Sequence, residues 1–183
     1  ITESKYNCNH YIKNCSRFVF ECCQSINSCH RCHKEKYNCN NKPLIVSLIQ
    51  CNLCNQSQLP SNKCINTDCN TFFAKNYCNI CYIWTRDEIS HCNECGLCRI
   101  GVQGSLYHCS ICDCCYNIEY AQSHICSKTK ISENECPVCL ESLHNSRENT
   151  CVTSCRHPIH VKCLELALKA GFYTCVVCRE ILK

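Results

Sequence analysis

The pattern of apolar and polar positions predicts very little regular secondary structure in this chain. Residues 43–50, with the sequence PLIVSLIQ, are apolar and β-branched, which is typical of a short strand. Residues 161–170, with the sequence VKCLELALKA, favour a helix, and Gly171 is a natural stop at its C-terminal end. We find neither pattern sustained elsewhere, so we expect loops and tight turns held together by something other than a large apolar core.

Composition identifies what could hold such loops. The chain has 183 residues, of which 28 are cysteine, whereas only one is tryptophan and five are phenylalanine. Small modules bury too little apolar surface to be stable alone, and they commonly depend on disulfides or on bound metal. We therefore expect several small modules, each stapled through its cysteines.

The spacing of the cysteines favours zinc over disulfides. Pairs separated by two residues recur along the chain, at Cys29/Cys32, Cys51/Cys54, Cys78/Cys81, Cys92/Cys95, Cys95/Cys98, Cys109/Cys112, Cys136/Cys139 and Cys175/Cys178. Two thiolates at this spacing can turn onto one tetrahedral metal ion, and a disulfide scaffold does not need the repeat. Seven of the nine histidines also stand at ligand-like distances from cysteines. Because thiolate–zinc proteins belong in reducing compartments, we expect a location in the cytoplasm, the nucleus or both.

Hydropathy and charge argue against a membrane and against a nucleic acid as partners. The longest apolar stretch, Leu44–Ile49, is interrupted by Ser47, so neither a membrane-spanning segment nor a signal peptide is expected. The formal net charge of +4 assumes neutral thiols, and thiolate ligation would make it negative. The basic residues are also scattered, so no nucleic-acid partner is expected. The chain opens at Ile1 and contains no methionine, so we expect a fragment of a longer protein.

A regular series of ligands marks the C-terminal block, residues 136–179. A short polar segment, residues 129–135 within the stretch from Ser127 to Glu135, precedes it and is interpreted as a linker and hinge. The eight ligands, in chain order, are Cys136, Cys139, Cys155, His157, His160, Cys163, Cys175 and Cys178. Their order resembles the RING-H2 finger, a cross-brace fold with a short β-hairpin and one helix. That resemblance implies one zinc ion held by Cys136, Cys139, His160 and Cys163, and another held by Cys155, His157, Cys175 and Cys178.

The same resemblance implies a partner surface. RING ligases present a shallow apolar groove to a ubiquitin-conjugating enzyme, and here its lining would include Pro137, Val138, Val176 and Val177. Arg179 follows the last ligand, where the family places a basic residue that bridges the conjugating enzyme and ubiquitin. Many active RING fingers carry proline where this chain has Val176, which nevertheless leaves the groove apolar.

Two further cysteine-rich blocks precede the RING finger. In residues 1–72 the candidate ligands are Cys8, His10, Cys22, Cys23, Cys29, Cys32, His33, Cys39, Cys51, Cys54, Cys64 and Cys69, which resemble the CHY-type zinc finger. In residues 73–128 they are Cys78, Cys81, His91, Cys92, Cys95, Cys98, His108, Cys109, Cys112, Cys115, His124 and Cys126, which resemble the CTCHY-type zinc finger. Each block implies three zinc ions, and the pairing of ligands to individual ions stays open in both blocks, above all in the second, where the turns overlap. Cysteine stands at position 39, where the CHY family usually has histidine.

Together the three blocks resemble the RING-finger and CHY-zinc-finger ubiquitin ligases along essentially the whole chain. The fold class expected is therefore a set of small zinc-stabilised modules with about eight structural zinc ions. The resemblance implies a RING-type E3 ubiquitin transferase that acts as a scaffold, without catalytic residues of its own, on a charged conjugating enzyme, ubiquitin and an unidentified protein substrate. The alternatives are a non-catalytic zinc-built adaptor and, third, a nucleic-acid-binding zinc protein. Left without a role are Cys15, Cys114 and Cys151, expected as buried or surface thiols, and His30 and His144, of which His144 is expected in solvent.

Overall fold

Short strands and two helices make up the regular structure of the protein. The computed structural model describes residues 8–12, 16–37, 39, 45–146 and 148–182. The strands are β1 Ser16–Phe20, β2 Ile26–Asn27, β3 Val46–Cys51, β4 Ser57–Gln58, β5 Asn76–Cys78, β6 Ile83–Thr85, β7 Ile89–Cys92, β8 Leu97–Ile100, β9 Leu106–Cys109, β10 Cys114–Asn117, β11 Thr150–Val152 and β12 Pro158–His160. The α-helices are α1 His30–Lys36 and α2 Val161–Lys169, and two 3-10 helices span Ile118–Tyr120 and Ile131–Glu133. No helix within these ranges has the length and apolar character needed to cross a bilayer.

The chain divides into two compact units. The first unit comprises Ile1–His91 with Leu97–Gln103, and the second comprises Cys92–Gly96 with Gly104–Lys183. The three-block division expected from the sequence stays a prediction, since these units follow packing and not ligand motifs.

A four-stranded sheet carries the core of the first unit, in the order β2-β1-β3-β4. Alternation along β1 buries Ser16, Phe18 and Phe20, and the antiparallel register sets Phe18 opposite Ile49 of β3. The hairpin β5–β6 adds Trp84, whose ring centroid lies 4.5 Å from that of Phe18 and whose indole nitrogen donates to the Ser61 carbonyl at 2.8 Å. A few aromatic side chains among cysteines therefore form this core.

The second unit has a core of its own, built mainly from cysteine and three aliphatic side chains. Ile131, Leu143 and Ile159 are buried there. Ile131 stands in the segment expected to be a hinge, yet its side chain is fully buried (0% exposed). The Ile131 side chain is therefore packed into this core, while the division of the chain at a linker of residues 129–135 stays a prediction.

The predicted helix is confirmed. Helix α2 spans Val161–Lys169, ends with Ala170 as its C-cap, and is followed by Gly171 at a φ of +86°. The left-handed conformation at Gly171 is the usual way to end a helix, because glycine has no Cβ to clash. The predicted strand at residues 43–50 corresponds to β3, Val46–Cys51, and residues 43 and 44 lie outside the described ranges. The predicted fold class, small zinc-stabilised modules with little regular structure, is also confirmed.

Candidate zinc centres

Cysteine and histidine side chains of the first unit gather in four groups of four. Within each group one donor atom per residue lies within 4.8 Å of the others. The groups are Cys8, His10, Cys29 and Cys32; Cys22, Cys23, His33 and Cys39; Cys51, Cys54, Cys64 and Cys69; and Cys78, Cys81, His91 and Cys98. These sixteen side chains are all ones that the sequence singles out as ligands.

The second unit holds the group Cys92, Cys95, His108 and Cys115, and three further groups are present in the described chain. Pairwise contacts locate the first of these, which we call the brace, at Cys109, Cys112, His124 and Cys126. The same kind of contact defines the first RING group as Cys136, Cys139, His160 and Cys163. The second RING group consists of Cys155, His157, Cys175 and Cys178. The alternating pairing that the RING-H2 resemblance implies is therefore also the one these contacts follow.

Donor distances within the groups fit a tetrahedral metal ion. Around zinc, with Zn–S of about 2.3 Å and Zn–N of about 2.0 Å, tetrahedral geometry separates two sulfurs by about 3.8 Å and sulfur from nitrogen by about 3.5 Å. The Sγ atoms of Cys22 and Cys23 lie 3.8 Å apart, and the Cys22 Sγ lies 3.4 Å from Nε2 of His33. In the brace, the Sγ atoms of Cys109 and Cys126 are also 3.8 Å apart. A disulfide would need about 2.05 Å, and no disulfide joins any of the described cysteines.

A repeated backbone turn brings these cysteines together. Residues with positive φ, glycine apart, are Gln24, Asn55, Asn70, Tyr82, Asp113, Leu140, Arg156 and Arg179. Each of them directly follows a cysteine of one of the groups. In the first RING group the turn closes through the Leu140 N–H, which donates to the Cys136 carbonyl at 2.8 Å. In the second, the Arg179 N–H donates to the Cys175 carbonyl at 2.8 Å. In the turns whose two cysteines are separated by two residues, the left-handed residue reverses the chain, so that both thiols face the same point.

Two of these histidines, His10 and His108, contact a carboxylate through the ring nitrogen that faces away from the cysteines. His10 directs Nδ1 to the thiols of Cys29 and Cys32 and holds Nε2 at 3.0 Å from a carboxylate oxygen of Glu35. His108 directs Nδ1 to its cysteines, and its Nε2 lies 3.7 Å from Asp113. Partners of this kind fix the ring orientation and the tautomer of a metal-binding histidine.

Hydrogen bonds between thiols within the groups favour the thiolate, which is the form of cysteine that binds metal. The hydrogen bond with Cys98 lowers the pKa of Cys81 to about 5, and the same contact raises the pKa of Cys98. In another group, the hydrogen bond with Cys29 lowers the pKa of Cys8 to about 4. The folded arrangement therefore stabilises a thiolate in each of these two groups, and thiolate is the ligand that zinc requires.

The cysteines and histidines without a predicted role differ in their burial. Cys114 is buried (4% exposed) and Cys151 is half-buried, with burial raising its pKa, so both match the expectation of inert thiols. His144 was expected in solvent and is instead buried, at 8% exposure. The ring of His30 contacts Phe20 edge-on at 5.3 Å. Cys15 lies outside the described residues.

A shallow apolar depression lies beside the two RING groups. Three kinds of element line it: the cysteine turns, strand β12 and helix α2, through residues that include Pro137, Val176, Val177, Ile159 and Leu164. Val138 was expected in the lining but is not part of it. It stands in the adjoining turn with 45% of its side chain exposed. Arg179 is exposed at the end of the last turn.

Three side chains near the groups were missed from the sequence. Glu35 and Asp113 face histidines, and Leu140 exposes 71% of its side chain from a left-handed position next to Val138. Leu140 could have been found, because the residue after the second cysteine of such a turn always leaves the ligand face. For Glu35 and Asp113 no spacing rule points to the histidines that they face, His10 and His108.

The folded units and their cysteine–histidine groups define a zinc-binding protein of tandem zinc fingers ending in a RING finger. The chain is 30% identical over 178 residues to the E3 ubiquitin-protein ligase SRFP1 of Oryza sativa, covering 94% of this chain and 67% of that protein. It is 36% identical over 189 residues to the rice protein named probable E3 ubiquitin-protein ligase RZFP34, covering 96% and 61%. It is 31% identical over 181 residues to the zinc finger protein BRUTUS of Arabidopsis thaliana, covering 97% of this chain and 14% of that protein.

The chain belongs to the RING-finger and CHY-zinc-finger ubiquitin ligase family. No protein-family model matches it. The chain spans between 14% and 67% of the length of the three relatives described, so their activities, substrates and partners bear on it only as proposals.

Proposed function

We propose that each cysteine–histidine group holds one zinc ion, about eight in all, through the ligands predicted from the sequence. Four protein donors leave no open position on a tetrahedral ion, so bound zinc would supply structural closure and would not activate water. The support is the fit of the donor distances, such as 3.8 Å between the Sγ atoms of Cys22 and Cys23, to the edges of a zinc tetrahedron.

The chain is further proposed to act as a RING-type E3 ubiquitin ligase. One observation carries this proposal: Val138, Val176 and Val177 stand about half-exposed in the turns of the two RING groups, at 45%, 53% and 54%. Exposed aliphatic side chains of this kind are typical of a partner site, because they lose contact with water only when another surface covers them. The depression lined by Pro137, Val176 and Val177 would receive an apolar loop of a ubiquitin-conjugating enzyme.

The proposed mechanism is positional. The groove would hold a conjugating enzyme whose cysteine carries ubiquitin as a thioester, and it would bias that thioester toward attack by a substrate lysine. Arg179, exposed beside Val177, offers a planar fork of donors suited to the carbonyl oxygens of both partners. No residue of the chain is assigned a covalent role. The first two blocks would recruit the substrate. The site of action would be the cytoplasm or nucleus, because thiols that bind zinc persist in reducing compartments.

Self-ubiquitination with purified activating enzyme, a panel of conjugating enzymes and ubiquitin tests this function. Val138→Ala and Arg179→Ala should each lower the rate at least about ten-fold, the effect of losing roughly 1.4 kcal/mol of binding. The matched control is Leu59→Ala, which truncates a side chain that is 76% exposed in the first unit. It should leave the rate unchanged. Zinc content measured by native mass spectrometry must be equal in all variants.

A non-catalytic adaptor is the alternative function. A fully zinc-loaded chain that binds conjugating enzymes but forms no ubiquitin chains with any of them would favour the adaptor and overturn the ligase. Loss of activity in Leu59→Ala equal to that in Val138→Ala would show that the exposed valines of the RING turns are not the site.

A further inference from the structure

The segment that leads into the RING finger is fastened to the brace, Cys109, Cys112, His124 and Cys126. The Ile131 N–H donates to the Cys112 carbonyl at 2.7 Å, and the Ser127 N–H points to the Cys112 Sγ at 3.4 Å. The Ile131 side chain, fully buried, packs in one cluster with Cys112 of the brace and Cys136 of the first RING group. Ile131 thus shares one small core with ligands of two different groups.

A second connection joins the brace to the second RING group. Arg156 stands between the ligands Cys155 and His157, and its Nε–H donates to the Cys126 carbonyl at 2.9 Å. In return, the Lys128 N–H donates to the Arg156 carbonyl at 3.1 Å. Arg156 adopts a φ of +70°, a conformation unfavourable for a side-chain-bearing residue. The loop carrying Cys155 and His157 is therefore held in a strained shape by contacts that include Cys126, itself a brace residue.

A third connection reaches the neighbouring group. The Ser132 hydroxyl donates to Oδ2 of Asp113 at 2.6 Å, and Oδ1 of Asp113 faces Nε2 of His108 at 3.7 Å. The 3-10 helix Ile131–Glu133 is thus attached on two sides by residues that adjoin proposed zinc ligands.

We propose that the brace is a structural part of the RING finger, with Ile131 and Arg156 as the positioning residues that couple its metal occupancy to that of both RING groups. When the brace opens, the Cys126 carbonyl moves away from the Nε–H of Arg156. Cys112 likewise moves away from the Ile131 side chain. The ligand loop at Cys155 and His157 then loses its support, and the RING groups release zinc more readily. The inference rests on the zinc ligation proposed above, and through the groove it would make ubiquitin transfer depend on a site outside the RING ligand series.

Site-resolved alkylation of the full chain tests this coupling. The protein is exposed to a limiting concentration of a chelator and to iodoacetamide, and mass spectrometry follows each cysteine. Ile131→Ala should speed alkylation of the RING cysteines, such as Cys155 and Cys178, by about ten-fold or more, because it leaves a cavity between brace and RING. The cysteines of the first-unit group containing Cys51 and Cys64 serve as an internal reference and should be unchanged.

Two matched variants sharpen the test. Ile118 also begins a 3-10 helix of the second unit but is 54% exposed, so Ile118→Ala should leave every alkylation rate unchanged.

Arg156→Ala and Arg156→Lys both keep a Cβ at the same left-handed φ, so their backbone strain is equal and only the hydrogen-bond donor differs. Arg156→Ala should speed alkylation of Cys155, Cys175 and Cys178 about five-fold, the effect of one lost hydrogen bond, and Arg156→Lys should restore much of the protection.

His124→Ala opens the brace directly and should expose both RING groups together with it. RING cysteines that stay as protected as in the parent chain in Ile131→Ala and Arg156→Ala would overturn the coupling. The two proposals fail separately. Coupled alkylation without ubiquitin transfer would reject the ligase and keep the coupling, whereas transfer with uncoupled alkylation would reject the coupling alone.

Discussion

Nε2 of His10 lies 3.0 Å from Oε1 of Glu35, while Nδ1 of the same ring faces the thiols of Cys29 and Cys32. Helix α1 supplies both sides of this arrangement, since it follows Cys29 as its N-cap, contains Cys32 and carries Glu35 in its last turn. A seven-residue helix thereby orients a histidine that arrives from a distant part of the chain.

Replacing Glu35 with glutamine tests that arrangement. We expect the zinc affinity of the group Cys8, His10, Cys29 and Cys32 to fall about ten-fold, because the carboxylate fixes the orientation and the tautomer of the ring. Competition with a chelator, read by alkylation of Cys29, measures the change. Glu21→Gln, an exposed substitution in the same unit, is the control. Equal affinities in the two variants would contradict an orienting role for Glu35.

The core of the first unit depends on its single tryptophan. Trp84→Ala should lower the free energy of unfolding by about 3–5 kcal/mol, since it empties space between Phe18 and Tyr77 that the structure fills at ring distances of 4.5 Å. Phe72→Ala removes an aromatic ring that is 56% exposed and should cost less than about 1 kcal/mol. Thermal denaturation of the zinc-loaded variants distinguishes them. Similar melting temperatures would show that zinc alone, and not the aromatic core, determines the stability.

Removal of metal should unfold the chain. Each unit buries few aliphatic side chains, so most of the folding free energy must come from metal binding. Exhaustive chelation should abolish the strand signal in circular dichroism and shift the fluorescence of Trp84 to the red as its indole meets water. Addition of zinc under reducing conditions should restore both signals. A circular dichroism spectrum that survives complete loss of zinc would refute this expectation.

Replacing Leu140 should separate an effect on ubiquitin transfer from an effect on the stability of the fold. Leu140→Gly removes a 71% exposed side chain at a φ of +59°, where glycine is unstrained, so the free energy of unfolding should change by less than about 1 kcal/mol. We expect ubiquitin transfer to fall several-fold because the apolar surface beside Val138 shrinks. Asn70→Gly makes the same kind of change at an exposed left-handed position in a turn of the first unit and should leave transfer intact. A large loss of stability in Leu140→Gly would instead indicate that the leucine packs in the fold.

The sequence predicts one helix well for a clear physical reason. Residues 161–169 combine strong helix formers with Gly171 behind them, so local preference and structure agree. The pairing of ligands in residues 73–128 could not be deduced, because Cys95 stands two residues from both Cys92 and Cys98 and only the fold decides between them. The structure joins Cys95 to Cys92 and leaves Cys98 with His91.

The burial of Ile131, in the segment 129–135, also could not be predicted from the sequence. Ile131 is one aliphatic residue among lysine, serine and glutamate, so no periodicity marks it as part of a core. Its burial follows from contacts with cysteines distant in sequence. The burial of His144 escaped prediction for the same reason, because a single polar residue in a loop carries no sign of its surroundings.

The turns that present the cysteines have a consequence for how such a chain can diversify. Tight reversals with left-handed backbone usually restrict a position to glycine, yet this chain has only four glycines and places glutamine, asparagine, tyrosine, aspartate, leucine and arginine at those reversals. Where the outward side chain is exposed, as at Leu140, such a turn is a place where new recognition can evolve while the scaffold persists, whereas Asp113 and Arg156 are held by the contacts that their side chains make.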